Sequence, residues 1–265
     1  MTTPPPDRPP IDADAAARPG WRVEVVAATP STNADVAARA RLGERPGLVL
    51  VAEHQTAGRG RLARSWVTPP GAALTLSLLV APEEVPLDRW PWLPLLTGLA
   101  VADGVRRAVG VEASLKWPND VLVADAKLAG ILVERLERPA AVGGPAAVVG
   151  VGINVSTTRD ELPVPTATSL ALAGARSLDR TRLLGEVLGC FAERYGDWRA
   201  RGGGGLRASY AAACATIGRA VRVELPGGSL RGRAVGVDDD GRLRVDDGER
   251  VHVVGAGDVV HVRPA

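Results

Sequence analysis

The chain lacks most of the features that announce a function outright. It has no apolar run long enough to span a bilayer and no signal peptide, so neither membrane insertion nor secretion is expected. Two cysteines, Cys190 and Cys214, and three histidines occur in 265 residues. Neither cysteine has a histidine or a second cysteine at ligand spacing, and His252 and His261 sit in expected strands without a partner. A metal site is therefore not expected, and a reducing cytoplasm fits best. Charge of one sign is also missing: 32 basic and 30 acidic residues leave a net charge of +2. That balance gives no global field to draw in nucleic acid or membrane, so any positive patch must be local. The sequence has no Gly-x-x-x-x-Gly-Lys-Ser/Thr, Gly-x-Ser-x-Gly or His-Glu-x-x-His, which removes the P-loop, hydrolase and zinc-enzyme readings.

What is present is ample material for a core, 46% hydrophobic residues, and one concentrated basic stretch. From His54 to Trp66 the chain places Arg59, Arg61 and Arg64 among Gly58 and Gly60, between two apolar runs at 48–53 and 73–80 that read as buried strands. The glycines let backbone approach a ligand, and the arginines offer fixed forks for carboxylate or phosphate, so an anionic small molecule is the natural guest. Gly58 to Ala63 also fits the loose dinucleotide fingerprint. That motif requires a following helix, and here Pro69, Pro70 and a strand follow, so the Rossmann reading fails.

Around this loop the pattern is mixed α/β. Residues 1–20 carry six prolines and are expected to be a disordered lead-in, too short for a helix-turn-helix DNA-binding domain. Residues 22–26 alternate as a strand, and Ser31 or Thr32 is placed to cap a helix over 34–41 or to face a cavity at the helix start. A buried helix is expected over 90–109. A hairpin built on 113–117, 121–123 and 127–134 would bring Lys116, Asn119, Asp120 and Lys127 together. The strand at 146–155 leaves room beside Gly150 and Gly152, either for a flat ligand or for a packed helix. The aromatic residues Phe191, Tyr195 and Trp198 recur at helical spacing and read as core. After the glycine run 202–205 and a short helix at 206–214, short alternating strands suggest a small β-barrel from about residue 216, an accessory module.

A cluster of cations and small polar groups suits the joining of two anions, such as a carboxylate attacking the α-phosphate of a nucleotide, because both repel until positive charge lies between them. Five motifs occur in order: Ser31-Thr32-Asn33; Gln55 with Gly58-Arg59-Gly60-Arg61 and Trp66; Lys116-Trp117-Pro118-Asn119-Asp120; Lys127-Leu128-Ala129-Gly130; and Gly150-x-Gly152-Ile153-Asn154. In this the chain resembles the biotin protein ligases, and of these the short class without a DNA-binding domain.

The resemblance implies a class II aminoacyl-tRNA synthetase-like α/β catalytic domain over 21–215 and an SH3-like domain over 216–265. It implies that biotin and Mg-ATP give biotinyl-5′-AMP, and that a lysine of a biotin carboxyl carrier domain then takes the acyl group. Ser31, Thr32, Asn33 and Gln55 would hold biotin. Arg59, Gly60 and Arg61 would close over biotin and the adenylate, with Lys127 as catalytic lysine and Gly130 lining the same pocket. Trp66, Lys116, Asn119, Asp120, Gly150, Gly152 and Asn154 would lie on the nucleotide side, with Mg2+ arriving on ATP. Leu62 and Ala63 depart from the arginine-richest family version of the loop, leaving Arg64 as its last charge. Neither DNA nor membrane is an expected partner. A lipoate-type ligase, or a nonenzymatic nucleic-acid binder using the arginine loop, are the alternatives.

Overall fold

The computed structural model describes residues 8–137, 139–225, 227–255 and 257–262. The chain runs α1 (Ala13–Ala16), β1 (Arg22–Val26), α2 (Thr32–Arg41), β2 (Leu48–Ala52), a two-residue ladder of β3 (Gly58–Arg59) and β4 (Ser65–Trp66), then β5 (Ala73–Val80) and α3 (Trp92–Val109). It continues through β6 (Ser114–Lys116), β7 (Asp120–Val123), β8 (Ala126–Leu136), β9 (Ala146–Asn154), α4 (Arg180–Arg201) and α5 (Gly204–Ala213). The C-terminal strands are β10 (Ala220–Leu225), β11 (Gly228–Val237), β12 (Leu243–Asp246), β13 (Val251–Val254) and β14 (Asp258–His261). The expected elements are present, most of them with ends within two residues of the sequence reading.

Seven strands form one mixed sheet in the order β1-β2-β5-β9-β8-β7-β6, with only β1 and β2 parallel. Its two faces follow from the period of two in each strand. Leu74, Leu76 and Leu78 of β5 and Val149, Val151 and Ile153 of β9 join α3 and α4 in the main core, together with Phe191, Tyr195 and Trp198. Leu79 and Val148 point the other way, into a smaller cluster with Val36, Ala37 and Ala40 of α2. On that second face β5 also carries Thr75 and Ser77, both buried. The second face is thus apolar under α2 and polar beyond it. The C-terminal strands form an antiparallel sheet in the order β13-β12-β11-β10-β14, and its inward valines belong to the main core.

Residues 1–7 lie outside the described part, but residues 8–20 overturn the disordered lead-in expected for them. Ile11 and Ala16 are buried in the main core. Asp12 caps α1 by accepting from the amides of Asp14 and Ala15. Arg180, 4% exposed, pairs with Glu53 at 2.6 Å and donates to Pro9 O at 2.5 Å, while Glu53 accepts from the Ile11 amide at 2.7 Å. A proline-rich composition indicates disorder only where too little apolar surface can be buried, and one isoleucine with a buried ion pair reverses that balance. Ile11→Ala should therefore destabilise the protein by about 2 kcal/mol or more in chemical denaturation, as for a core truncation. An unchanged midpoint would return this segment to a solvated lead-in.

Candidate active site

The polar half of the second sheet face is the floor of a cavity of about 1230 Å³. Register builds it. Thr75 pairs with Gly152, Gly152 with Gly130, Gly130 with Asp120, and Asp120 with Lys116, so one row of five strands runs from a hydroxyl through two bare backbones to a carboxylate and an ammonium. The next row sets Ser77 beside Gly150, and Gly150 beside Leu132.

The space above the glycines is occupied by the chain's own side chains: Trp66 of the hairpin over Gly152, and Asn33 of the first turn of α2 over Gly150. A Cβ at Gly152 would stand 2.5 Å from the Trp66 ring, and one at Gly150 would collide with the Asn33 amide. Gly130 is less crowded: its Cβ would meet Lys127 Nζ at 3.3 Å and the Trp66 ring at 3.4 Å. Trp66 thus lies across two adjacent strands as a plate that only glycine-level thinness permits.

Ser31 occupies the N-cap position of α2 yet makes no capping hydrogen bond, and it lines the cavity. Of the two readings of that serine, the cavity-facing one holds. Gln55 Oε1 accepts from the amide of Thr32 at 2.8 Å and lies 3.0 Å from its hydroxyl. Asn33 is fixed from three sides, with Nδ2 donating to Leu132 O at 3.3 Å and to Glu134 Oε2 at 2.6 Å, and Oδ1 2.6 Å from Ser77 Oγ. Ser77 Oγ is also 2.7 Å from Thr32 Oγ1. These contacts hold the polar groups at the start of α2 in fixed rotamers.

At the other end, Lys127 Nζ is 2.7 Å from Asp120 Oδ1, an ion pair by distance whose angles do not make it a hydrogen bond, so that buried oxygen keeps acceptor capacity. The buried Trp66 indole N–H likewise has no partner among the described residues. Arg61 donates to Asn119 Oδ1 at 3.0 Å, and Asn119 donates to Ile131 O at 2.9 Å. Asn154 spends its amide on Thr168 O at 2.9 Å, which makes it a wall support. Arg59 lies 3.5 Å from Glu134. The expected hairpin cluster of Lys116, Asn119, Asp120 and Lys127 is therefore assembled, and every site residue singled out from the sequence lines this one cavity.

The lining also holds residues that sequence reasoning missed: Asp125 and, from the C-terminal unit, Arg219, Arg233, Asp258 and His261. The C-terminal strands are a wall of the site, not a remote accessory. Ser77 had a signal, since Thr75 and Ser77 alternate in an otherwise apolar run. The C-terminal residues had none, because only tertiary docking brings them here. Seven cations (Arg59, Arg61, Arg64, Lys116, Lys127, Arg219, Arg233) face three carboxylates (Asp120, Asp125, Asp258), a formal excess of +4 in one cavity, against +2 for the whole chain. The positive patch is local, as the near-neutral composition required. Burial pulls the Arg61 guanidinium below its ordinary value, opposed by Asp258 and Asp120. Burial also lowers the His261 imidazole to about 4, helped by Lys116 and Arg219, so it is neutral at pH 7. A cavity with this excess of cations is suited to an anionic guest.

Comparison with known proteins agrees with this geometry. The Biotin/lipoate A/B protein ligase family model matches residues 25–154, and the Biotin protein ligase C terminal domain model matches residues 216–262. The biotin--[acetyl-CoA-carboxylase] ligase of Mycobacterium tuberculosis is 47% identical over 97% of this chain and 97% of its own. This chain belongs to the biotin protein ligase family. The bifunctional ligase/repressor BirA of Bacillus subtilis is 33% identical over 80% of this chain, a match that spans 66% of the repressor's length. Among solved structures, the biotin protein ligase of Aquifex aeolicus in complex with biotin and ATP is 28% identical, with a TM-score of 0.77 over 91% of this chain and 99% of that one. The architecture is the ligase fold, an α/β catalytic part followed by an SH3-like C-terminal part.

The glycine floor can be tested without any ligand. Gly152→Ala should force the Trp66 plate to move and cost roughly 1–3 kcal/mol as an overpacked site, while Gly130→Ala, with contacts of 3.3 Å and 3.4 Å, should cost less. Denaturation midpoints in the opposite order would remove the plate from this account.

Proposed function

We propose that the chain activates biotin with ATP to biotinyl-5′-AMP and passes the biotinyl group to a lysine of a biotin carboxyl carrier domain. The observation that carries this is the single cavity into which all five family motifs converge, with its excess of positive charge. Ser31, Thr32, Asn33 and Gln55 supply donors and acceptors at one end for the polar head of biotin. Lys127 and Arg61 lie toward the other, where two anions must meet, while Arg59 shares Glu134 with Asn33.

In the first step a biotin carboxylate oxygen attacks the α-phosphorus of ATP, forming the acyl–O–P bond as pyrophosphate leaves. Fixed cations make that approach possible because they are in place before the charges come together. In the second step the acceptor lysine amine attacks the acyl carbon, an amide forms, AMP departs with the bonding pair, and the amine loses a proton. The mixed anhydride hydrolyses readily, so the β3–β4 hairpin, which bears Arg59 and Arg61 over the cavity, serves as a lid that keeps water out. Mg2+ bound to triphosphate needs only one or two carboxylates from a protein. Among the described residues no group of three or more His, Cys, Asp and Glu side chains forms a metal cage, and Asp120, with spare acceptor capacity on Oδ1, fits such a part. The ion would neutralise phosphate charge.

The catalytic part would end near residue 215, in accord with the C-terminal family model beginning at 216. None of the described helices is long and apolar enough to cross a membrane, and both cysteines are buried free thiols, which accords with work in the cytoplasm. A net charge of only +2 for the whole chain and the convergence of the cations on one cavity count against the nucleic-acid reading, since a backbone-tracking surface needs a long positive groove.

Pyrophosphate release with Mg-ATP decides the substrate: biotin should give turnover and lipoate none, and the reverse would replace the assignment with a lipoate ligase. Within the site, Lys127→Ala should lose about ten- to a hundredfold in turnover, the equivalent of a charge-assisted contact of about 1.5 to 3 kcal/mol. Lys116→Ala should lose less, because the family resemblance puts Lys127 at the reacting groups, and the charge of Lys116 also acts on Asp258 and His261. Equal losses in two folded variants would show that both lysines serve the reacting groups.

A further inference from the structure

The hairpin that covers the cavity does not hold itself in place. Its ladder is two residue pairs long, Gly58 with Trp66 and Arg59 with Ser65. At its tip Leu62 and Ala63 adopt the left-handed region, at φ 54° and φ 58°, which costs non-glycine residues free energy. Leu62 is 68% exposed and anchors nothing. Arg61 and Arg64, on either side of the tip, reach instead to the C-terminal unit at the start of β14. Arg64 forks onto the two carboxylate oxygens of Asp258, and Arg61 donates to Gly257 O at 3.2 Å.

That anchor is firm. Asp258 pairs with Glu224 in the β10–β14 ladder, and Gly257 lies so close to β10 that a Cβ there would stand 2.8 Å from Val223 and 3.1 Å from Glu224 O. The acid opposite it on β10, Glu224, is paired with Arg222 at 2.6 Å, and against the opposing effect of burial Arg64, Lys116 and Arg61 hold the Asp258 carboxylate ionised.

We propose that Asp258 is a positioning residue for the lid: by holding Arg64 it fixes the hairpin over the cavity, which makes the C-terminal unit part of the apparatus that retains the adenylate. Its bond to Arg64 occupies the last charge of the lid with a protein partner, while Arg61, held by Asn119 Oδ1 and Gly257 O, lines the cavity. The consequence for retention rests on the proposed ligase reaction, whereas the contact itself does not. An ion pair as exposed as this one, 60% on the arginine side and 31% on the aspartate side, is a weak tether by itself. The expected effects are therefore several-fold and not a loss of activity.

The test is a double-mutant cycle on the full chain with Asp258→Asn, Arg64→Ala and both together, each first checked for an unchanged circular dichroism spectrum. Without ligand, hydrogen exchange of the amides of residues 58–66 should speed about three- to tenfold in each single variant, and no further in the double. With Mg-ATP and biotin, release of adenylate, read as labelling of albumin, should rise by a similar factor and show the same non-additivity. Asp258→Glu should restore both readouts. Unchanged lid exchange in Asp258→Asn, or effects that multiply in the double variant, would overturn the proposal. If the parent protein makes no pyrophosphate from biotin, the ligase reading fails, while the ligand-free exchange still decides whether Asp258 holds the lid.

Discussion

Gly130 and Gly152 face each other across β8 and β9, and the site depends on neither having a side chain. Any larger residue at 152 would meet the Trp66 ring, and Trp66 ends the ladder that carries the arginines. One strand register therefore sets the thickness of the floor, the seat of the indole and the position of the lid above it. The same register carries Asp120 and Lys116 into line with the glycines, so charge and empty space arrive together. A slip of one residue in this pairing would turn the whole set to the other face.

The two faces of the sheet divide the work. One is packed with aliphatic and aromatic residues from α3 and α4 and supplies the stability. The other is covered by α2 at one end only, and the polar residues at the start of that helix are braced by Ser77, Leu132 and Glu134. Such bracing matters because a polar group that must bind a ligand in one orientation has to be held in it beforehand. The C-terminal unit completes the cavity from the side and contributes both signs of charge, with Arg219 and Arg233 against Asp258.

The N-terminal segment shows how composition can mislead. Its prolines and small residues match a solvated lead-in, yet Arg180 and Glu53, far away in sequence, form a buried pair that receives Pro9 and Ile11. A buried ion pair needs its remaining donors and acceptors filled, and here backbone groups of the N-terminal segment fill them.

The sequence alone determined the elements, because hydrophobic period and turn residues act within a few positions of one another. It also marked the residues of the cavity through five motifs, and through Gly150 and Gly152 it showed room for something, a flat ligand or a packed helix, close against β9. It left open what that something is, and the tertiary structure decided it: the chain's own Trp66 and Asn33. It decided as well that the start of α2 faces the cavity and that the Ser31 side chain does not cap it, that residues 8–20 are anchored to the core by Ile11 and Ala16, and that Asp258, Arg219 and His261 line the same cavity. Each of these depends on contacts between residues distant in the chain, whose side chains carry no local period, so no pattern within a short window of sequence could have held them.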